Sequence, residues 1–234
     1  LEKSPPEAEV YEAIGDMYRV LQNNERASKA YSSATNINKS SAPLYIKAGL
    51  AFEKNNDVNA AINAYNQASA IDPTNQEALS SLQKIWEYQI KLNPKSAPAH
   101  ANLGTILQKK GDFDGAFAQY NAAEMLEPNN ILVRLNLGTL YQAKGDLKVA
   151  IRAYDTILMV DPNHILARYY KATAVKQSKD YDNAVKELHT ILRIDPKNSM
   201  AERELLAIAK EQGGGTNPEV VNILKNLANK EPDN

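Results

Sequence analysis

Residues 136–154 read Asn136-Leu137-Gly138-Thr139-Leu140-Tyr141-Gln142-Ala143-Lys144-Gly145-Asp146-Leu147-Lys148-Val149-Ala150-Ile151-Arg152-Ala153-Tyr154. Apolar or small residues recur three and four apart, the periodicity of a helix with one buried face. The pattern stops at Gly145-Asp146 and then restarts. Gly145 permits the left-handed backbone that ends a helix, and Asp146 offers an oxygen to cap the next. The second run closes at Val160-Asp161-Pro162, because a proline disfavours helical geometry in the residue before it. The stretch predicts a helix, a short turn, a second helix and another short turn.

The same unit recurs on both sides. Gly15 and Gly49 are as far apart as Gly104 and Gly138. The same interval separates Pro128 from Pro162 and Pro162 from Pro196. Two independent markers thus share one period of about 34 residues, the signature of stacked repeats. Gly and Ala at fixed places let two helices approach closely, and an aromatic residue fills the space that remains. A single hairpin cannot bury its apolar face, so stacked neighbours share a continuous core.

These offsets resemble the tetratricopeptide repeat (TPR) family, whose pattern places a small residue at position 8, a bulky one at 11, alanine at 20, an aromatic at 24, alanine at 27 and proline at 32. Five units fit. The first carries Gly15, Tyr18, Ala27, Tyr31 and Ala34, with Lys39 in place of the proline. The second carries Gly49, Phe52, Ala61, Tyr65, Ala68 and Pro73. Gly104, Leu107, Ala116, Tyr120, Ala123 and Pro128 mark the next. Gly138, Tyr141, Ala150, Tyr154, Ile157 and Pro162 follow. The last is Ala172, Val175, Ala184, Leu188, Ile191 and Pro196. The resemblance covers nearly the whole chain. It implies an all-α, right-handed superhelix of antiparallel helix pairs, with the tyrosines as packing residues.

One interval breaks the rule. From Gly49 to Gly104 the chain runs for more than one period and less than two. One unit is therefore short by about 13 residues of the roughly 34 in a full repeat. Leu79 and Leu82 belong to a first helix, Trp86 and Pro94 to a second, and the turn between Leu82 and Gln83 is missing. Gln76 to Leu92 contains neither Gly nor Pro, and its apolar residues keep helical spacing, which predicts one continuous helix. Its apolar side needs cover, from the flanking blocks or from a second molecule, so the truncated unit is a candidate site for a homodimer or domain swap. The expected organisation is an N-terminal block over 1–75, a connecting segment over 76–95, a C-terminal block over 96–212, and a Gly-rich turn with a capping helix over 213–234. Ser4-Pro5-Pro6-Glu7 fits a capping box for the first helix. Gly213-Gly214-Gly215 breaks the chain before a final helix capped by Thr216 or Asn217. No Gly-Lys-Ser/Thr follows those glycines, so they are not a phosphate loop.

Composition excludes several function classes. The 234 residues carry 27 Lys and Arg against 28 acids, a net charge of -1, which gives no field to hold nucleic acid. No cysteine is present, so disulfides, thiolate nucleophiles and cysteine metal sites are excluded. No apolar run approaches the roughly 20 residues of a membrane span. The three histidines, His100, His164 and His189, never share a helical turn, and no Gly-x-Ser-x-Gly elbow occurs. No cofactor, metal or catalytic constellation is expected, and the chain reads as a non-enzyme. The chain begins Leu1-Glu2-Lys3, so it reads as a fragment or processed product whose targeting information would lie upstream; no compartment is assigned.

The resemblance also implies where a partner would bind. In the TPR family the first helices line a concave groove that takes extended peptides or partner helices. Carried over by offset, that groove has Asn102, Asn136 and Tyr170 at position 6, Thr105, Thr139 and Thr173 at position 9, and Gln108, Gln142 and Lys176 at position 12. Leu132, Leu135, Leu166 and Tyr169 lie between them. Amides offer both a donor and an acceptor, which suits a peptide backbone. The position-6 asparagines partly resemble the asparagine ladder of the O-GlcNAc-transferase TPR region. Of the carboxylate-gripping set of TPR co-chaperones, only Asn136 is matched. The expected function is therefore a module that binds an extended, nearly neutral peptide or protein segment. The alternatives are a self-associating scaffold, or the recognition arm of an enzyme whose catalytic domain lies elsewhere. Glu9, Glu12 and Asp16 make the N-terminal face acidic and suited to a basic segment.

Overall fold

The computed structural model describes residues 6–211. The Ser4 capping box, the triple glycine, the Thr216 or Asn217 cap and the final helix lie outside the described residues. Among the described residues every regular element is a helix, and there are twelve. They are α1 (Pro6–Val20), α2 (Asn24–Ile37), α3 (Ala42–Lys54), α4 (Val58–Ile71), α5 (Gln76–Leu92), α6 (Ala97–Lys109), α7 (Phe113–Leu126), α8 (Ile131–Lys144), α9 (Leu147–Val160), α10 (Ile165–Gln177), α11 (Tyr181–Ile194) and α12 (Ser199–Glu211). The chain forms two compact units, Leu1–Leu126 and Glu127–Asn234. Within each unit, helices that follow one another in sequence pack together.

The two turns of each repeat are set by different chemistry. The turn inside each hairpin places one residue in the left-handed region: Gln22, Asn56, Gly111, Gly145 and Lys179, at φ 56, 61, 83, 86 and 66°. These five fall at the same place in their repeats. Two of them are glycines, for which this conformation is free, while Gln22 and Lys179 hold it without glycine's freedom. The next residue sits at the N-cap. Asn23, Asp57, Asp112 and Asp180 accept bonds from the backbone N–H of Arg26, Ala60, Gly115 and Asn183. Asp146 occupies the same place but its carboxylate makes no cap bond. Its backbone carbonyl instead receives the N–H groups of Val149 and Ala150, so the expected side-chain cap is replaced by main chain.

The tyrosines of position 24 are the largest fully buried side chains. Tyr31, Tyr65, Tyr120 and Tyr154 are 0 to 1% exposed. Each ring lies against the position-8 glycine of its own hairpin. A Cβ built on Gly49 would stand 2.6 Å from Tyr65 Cε1, and one on Gly104 2.7 Å from Tyr120 Cδ1. The aromatic residue therefore fills space inside its own hairpin as well as beside the next one.

A single helix, α5, runs without interruption from Gln76 to Leu92, and Asn75 caps it by accepting the Ala78 N–H at 3.0 Å. Its apolar residues are covered from within the unit. Leu79, Leu82 and Ile85 pack with Ala42 and Ile46 of α3, Ala61, Tyr65 and Ala68 of α4, and Ile106 of α6, with Trp86 partly buried beside them. The fused helix is thus seated between its two flanking hairpins, which supply what a lone amphipathic helix of this length lacks.

Candidate functional site

The first helices of the second unit, α8 and α10, carry most of the residues expected to meet a partner. Leu132 of α8 is 60% exposed and Leu166 of α10 is 37% exposed, so both present apolar surface to solvent. Asn136, Thr139, Tyr169, Tyr170 and Thr173 are half-buried. Tyr170 stacks on Tyr154 with centroids 6.0 Å apart, and Tyr169 meets Tyr170 edge-on at 5.8 Å. Leu135 is the exception. At 6% exposure it packs with Ala150, Tyr154 and Ala167, so it belongs to the core between α8, α9 and α10 and not to an open face.

The polar groups divide into two classes. Gln142 receives the Tyr154 hydroxyl proton at 3.1 Å and donates to Thr173 at 3.2 Å and Gln177 at 3.3 Å. In the first unit, the Tyr120 hydroxyl contacts Thr105 at 3.1 Å and Gln108 at 3.0 Å. Lys176 pairs with Glu204 at 2.8 Å and Glu211 at 3.0 Å. Thr139 and Thr173 donate to backbone carbonyls of their own helices. These side chains brace the scaffold. The side-chain amides of Asn102 on α6 and Asn136 on α8 stand apart, with no hydrogen-bond partner among the described residues.

Each buried tyrosine bonds through its hydroxyl to a polar side chain on the first helix of its own hairpin, a role that spacing alone does not reveal. Tyr31 donates to Asp16 at 2.7 Å and Tyr65 to Glu53 at 2.9 Å, alongside the Tyr120 and Tyr154 contacts. The signal lies in the choice of Tyr over Phe at position 24, since a buried phenol requires a partner. Burial is the largest cause that raises all four phenols above their ordinary value, Tyr31 to about 12 with Asp16 adding to the effect. A phenol whose folded value is raised contributes stability fully below its unfolded value of about 10, and loses it as pH climbs through the folded value. The helices are therefore expected to melt in alkali, with these tyrosines ionising as they do. Absorbance at 295 nm and helical circular dichroism, followed together, check this. A tyrosine titration complete below about pH 11 with the helices intact would contradict it.

The N-terminal face differs from the expectation of an acidic surface. Lys47 of α3 inserts its ammonium between Glu12 and Asp16, 2.7 Å from each. Burial opposes the charged forms, but the hydrogen bonds outweigh it: the Asp16 carboxyl is held below its usual range and the Lys47 ammonium above. Lys47 lies two helices further along the chain, so only packing reveals that this chain partly neutralises its own carboxylates. A cavity of about 390 Å³ beside it is lined by Arg19, Pro43, Ile46, Lys47, Leu50, Asn75 and Glu77. Two of the three histidines have structural places. His164 caps α10 by accepting the Ala167 N–H at 3.1 Å, and His100 bridges the Pro94 carbonyl and Gln119. Among the described residues no group of His, Asp and Glu is arranged to hold a metal ion, and no helix is long and apolar enough to cross a membrane.

Two family models, each described as a tetratricopeptide repeat, match this sequence, one over residues 42–75 and the other over 107–175 and 141–207. No curated protein matches it. Among solved structures, the Cut9–Hcn1 hetero-tetramer of the APC/C is similar with a TM-score of 0.53 and 19% identity, over 86% of this chain and 42% of that one. This chain therefore spans about two fifths of the length of that relative. YrrB, described as a TPR protein with an unusual peptide-binding site, gives 0.45 and 20% identity over 83% of this chain and 89% of its own. MamA from Desulfovibrio magneticus RS-1 gives 0.47 and 16%, over 84% and 99%.

Proposed function

The chain belongs to the tetratricopeptide repeat family, whose repeats serve as protein-interaction modules, and from that premise we propose that the first-helix face of its second unit binds an extended peptide segment. One observation carries the reading. The Asn136 amide is half-buried and unpartnered while nearly every polar neighbour is engaged, and the exposed Leu132 and Leu166 lie on the same first helices. A half-buried amide with no protein partner is free to exchange its hydrating water for a peptide backbone, to which it offers both a donor and an acceptor. Leu132 and Leu166 offer apolar area for side chains that alternate along an extended segment. The Lys176 charge is already neutralised by two carboxylates, which favours a nearly neutral ligand. Asn102 offers a similar free amide on the first unit.

The test uses a random peptide library displayed on phage and enriched on the intact chain. The best enriched peptide is then measured by calorimetry. Asn136→Ala is expected to weaken binding about tenfold, the loss of one or two backbone hydrogen bonds. Leu132→Asp is expected to weaken it further, and Met159→Asp on the exposed side of α9 to leave it unchanged. The opposite pattern, in which Met159→Asp abolishes binding and Asn136→Ala does nothing, would overturn the groove assignment.

A further inference from the structure

The turn between α2 and α3 begins Asn38-Lys39-Ser40. Asn-x-Ser/Thr, with x other than proline, is the pattern whose asparagine amide accepts an N-linked glycan. It occurs once in the 234 residues, so a glycan of this kind can map only to Asn38. The motif falls where the first repeat departs from the others. Position 31 is Asp72, Glu127, Asp161 and Asp195 in the later units, and Pro73, Pro128, Pro162 and Pro196 follow it. The first unit carries an amide for the carboxylate and a lysine for the proline. Both changes are needed. A carboxylate has no nitrogen to offer, and a proline at the middle place bars transfer. Asn93-Pro94-Lys95, at the end of α5, has the amide but keeps the proline and lacks the hydroxyl.

The turn presents the triplet in a form suited to reaction. Lys39 and Ser40 are exposed and Asn38 is half-buried. Asn38 Oδ1 accepts the Ser40 N–H at 3.2 Å and the Ser40 hydroxyl at 3.1 Å. The second repeat makes the same turn, with Asp72 Oδ1 accepting from the Thr74 N–H at 3.1 Å and its hydroxyl at 2.8 Å. The shape thus belongs to the repeat, and the acceptor chemistry to the first repeat alone. The two donors bear on reactivity. An amide nitrogen is a weak nucleophile, because its lone pair is shared with the carbonyl. As Nδ2 gives up a proton, negative charge gathers on Oδ1, where the N–H and O–H of Ser40 already point.

We propose that Asn38 is an acceptor site for N-linked glycosylation, taking an oligosaccharide from a lipid pyrophosphate donor. In the transfer, Nδ2 bonds to the anomeric carbon of the first sugar while the bond from that carbon to the pyrophosphate oxygen breaks. The electron pair leaves with the lipid pyrophosphate, and one Nδ2 proton passes to a base. Nothing is oxidised or reduced. The glycan then stands on the turn between the first two repeats. The inference rests on the first unit alone and is independent of the peptide-binding face of the second.

The test incubates the folded full chain with a purified single-subunit oligosaccharyltransferase and a synthetic lipid-pyrophosphate chitobiose. Intact mass and peptide mapping read the product. One glycan per chain is expected, on Asn38. Asn38→Gln and Ser40→Ala are expected to lose it, and Ser40→Thr to keep it. Lys39→Pro is the sharpest variant, since it installs the residue that the later repeats carry at this place. It is expected to abolish transfer while helical circular dichroism and melting stay unchanged. A folded chain that takes no glycan, under conditions in which a free peptide of residues 35–43 is modified, would overturn the proposal. So would transfer to another asparagine, or transfer that survives Lys39→Pro.

Discussion

Replacing Glu187 with alanine is expected to lower the stability of the second unit by about 3 to 5 kcal/mol, a large part of what a domain has. Glu187 sits on α11 between two cations of α10. Arg168 Nη1 bonds its Oε2, and Lys171 Nζ lies 2.7 Å from its Oε1 and 2.8 Å from Asp155 Oδ1. The side chains of Arg168, Glu187 and Lys171 are only 15, 16 and 21% exposed. Without the carboxylate the poorly hydrated Arg168 loses its acid partner, and Lys171 keeps only the more exposed Asp155. The network is not an optimal use of the space, since Arg168 Nε is buried with no partner. The place of Lys171 is filled in earlier repeats by Leu103 and Leu137, both buried. Changing Arg168, Lys171 and Glu187 together to leucine is therefore expected to recover most of the loss or to exceed wild type. Urea unfolding of the single and triple variants decides it. A single variant that loses under about 1 kcal/mol would place the network in the class of weak surface pairs.

Gly49→Ala is expected to cost about 2 kcal/mol although alanine is the better helix former. Helix propensity favours alanine by about 1 kcal/mol. Against that, the new Cβ would stand 2.6 Å from Tyr65 Cε1 and 2.8 Å from Cδ1 and Cζ. The ring cannot retreat, because it is fully buried and its hydroxyl is tied to Glu53 at 2.9 Å. Overpacking of this kind costs about 1 to 3 kcal/mol, and the strain wins. The fifth repeat shows the other solution, with Ala172 at the glycine position and Leu188 at the tyrosine position, both fully buried in one cluster. Gly49→Ala combined with Tyr65→Leu imports that pair. It is expected to be more stable than the sum of the two single changes by at least about 1 kcal/mol. Thermal or urea denaturation of the four-member cycle checks this, and strict additivity would show that ring and glycine do not constrain each other.

These two cases mark how far the sequence could be read. The glycine–tyrosine spacing is visible as a period and locates every hairpin, because close helix approach forces the same small and large residues to recur. The Arg168–Glu187–Lys171 network is not visible. Position 4 is occupied by Tyr45, His100, Arg134 and Arg168 in successive repeats, and no pattern in that set announces a shared task. Once folded, His100, Arg134 and Arg168 all donate to the carbonyl of the proline six residues before them, at 3.0, 2.8 and 2.6 Å. The candidate site is half legible. Offsets put Leu132 and Leu166 on first helices, where both are exposed, but they cannot tell a free amide from an engaged one.

The sequence by itself determined the repeat, its helix pairs, the left-handed turn at Gly145 and the single helix from Gln76 to Leu92. All of these follow from interactions within a few residues of the chain or from a steric rule repeated at fixed spacing. Only the tertiary structure decided which polar groups remain free. Lys47 is shared by Glu12 and Asp16, Gln142 is consumed by Tyr154 and Thr173, and Leu135 is buried while Leu132 is open. Each outcome depends on atoms brought together from different helices, and hydrogen-bond and charge partners that distant carry no periodic signature along the chain.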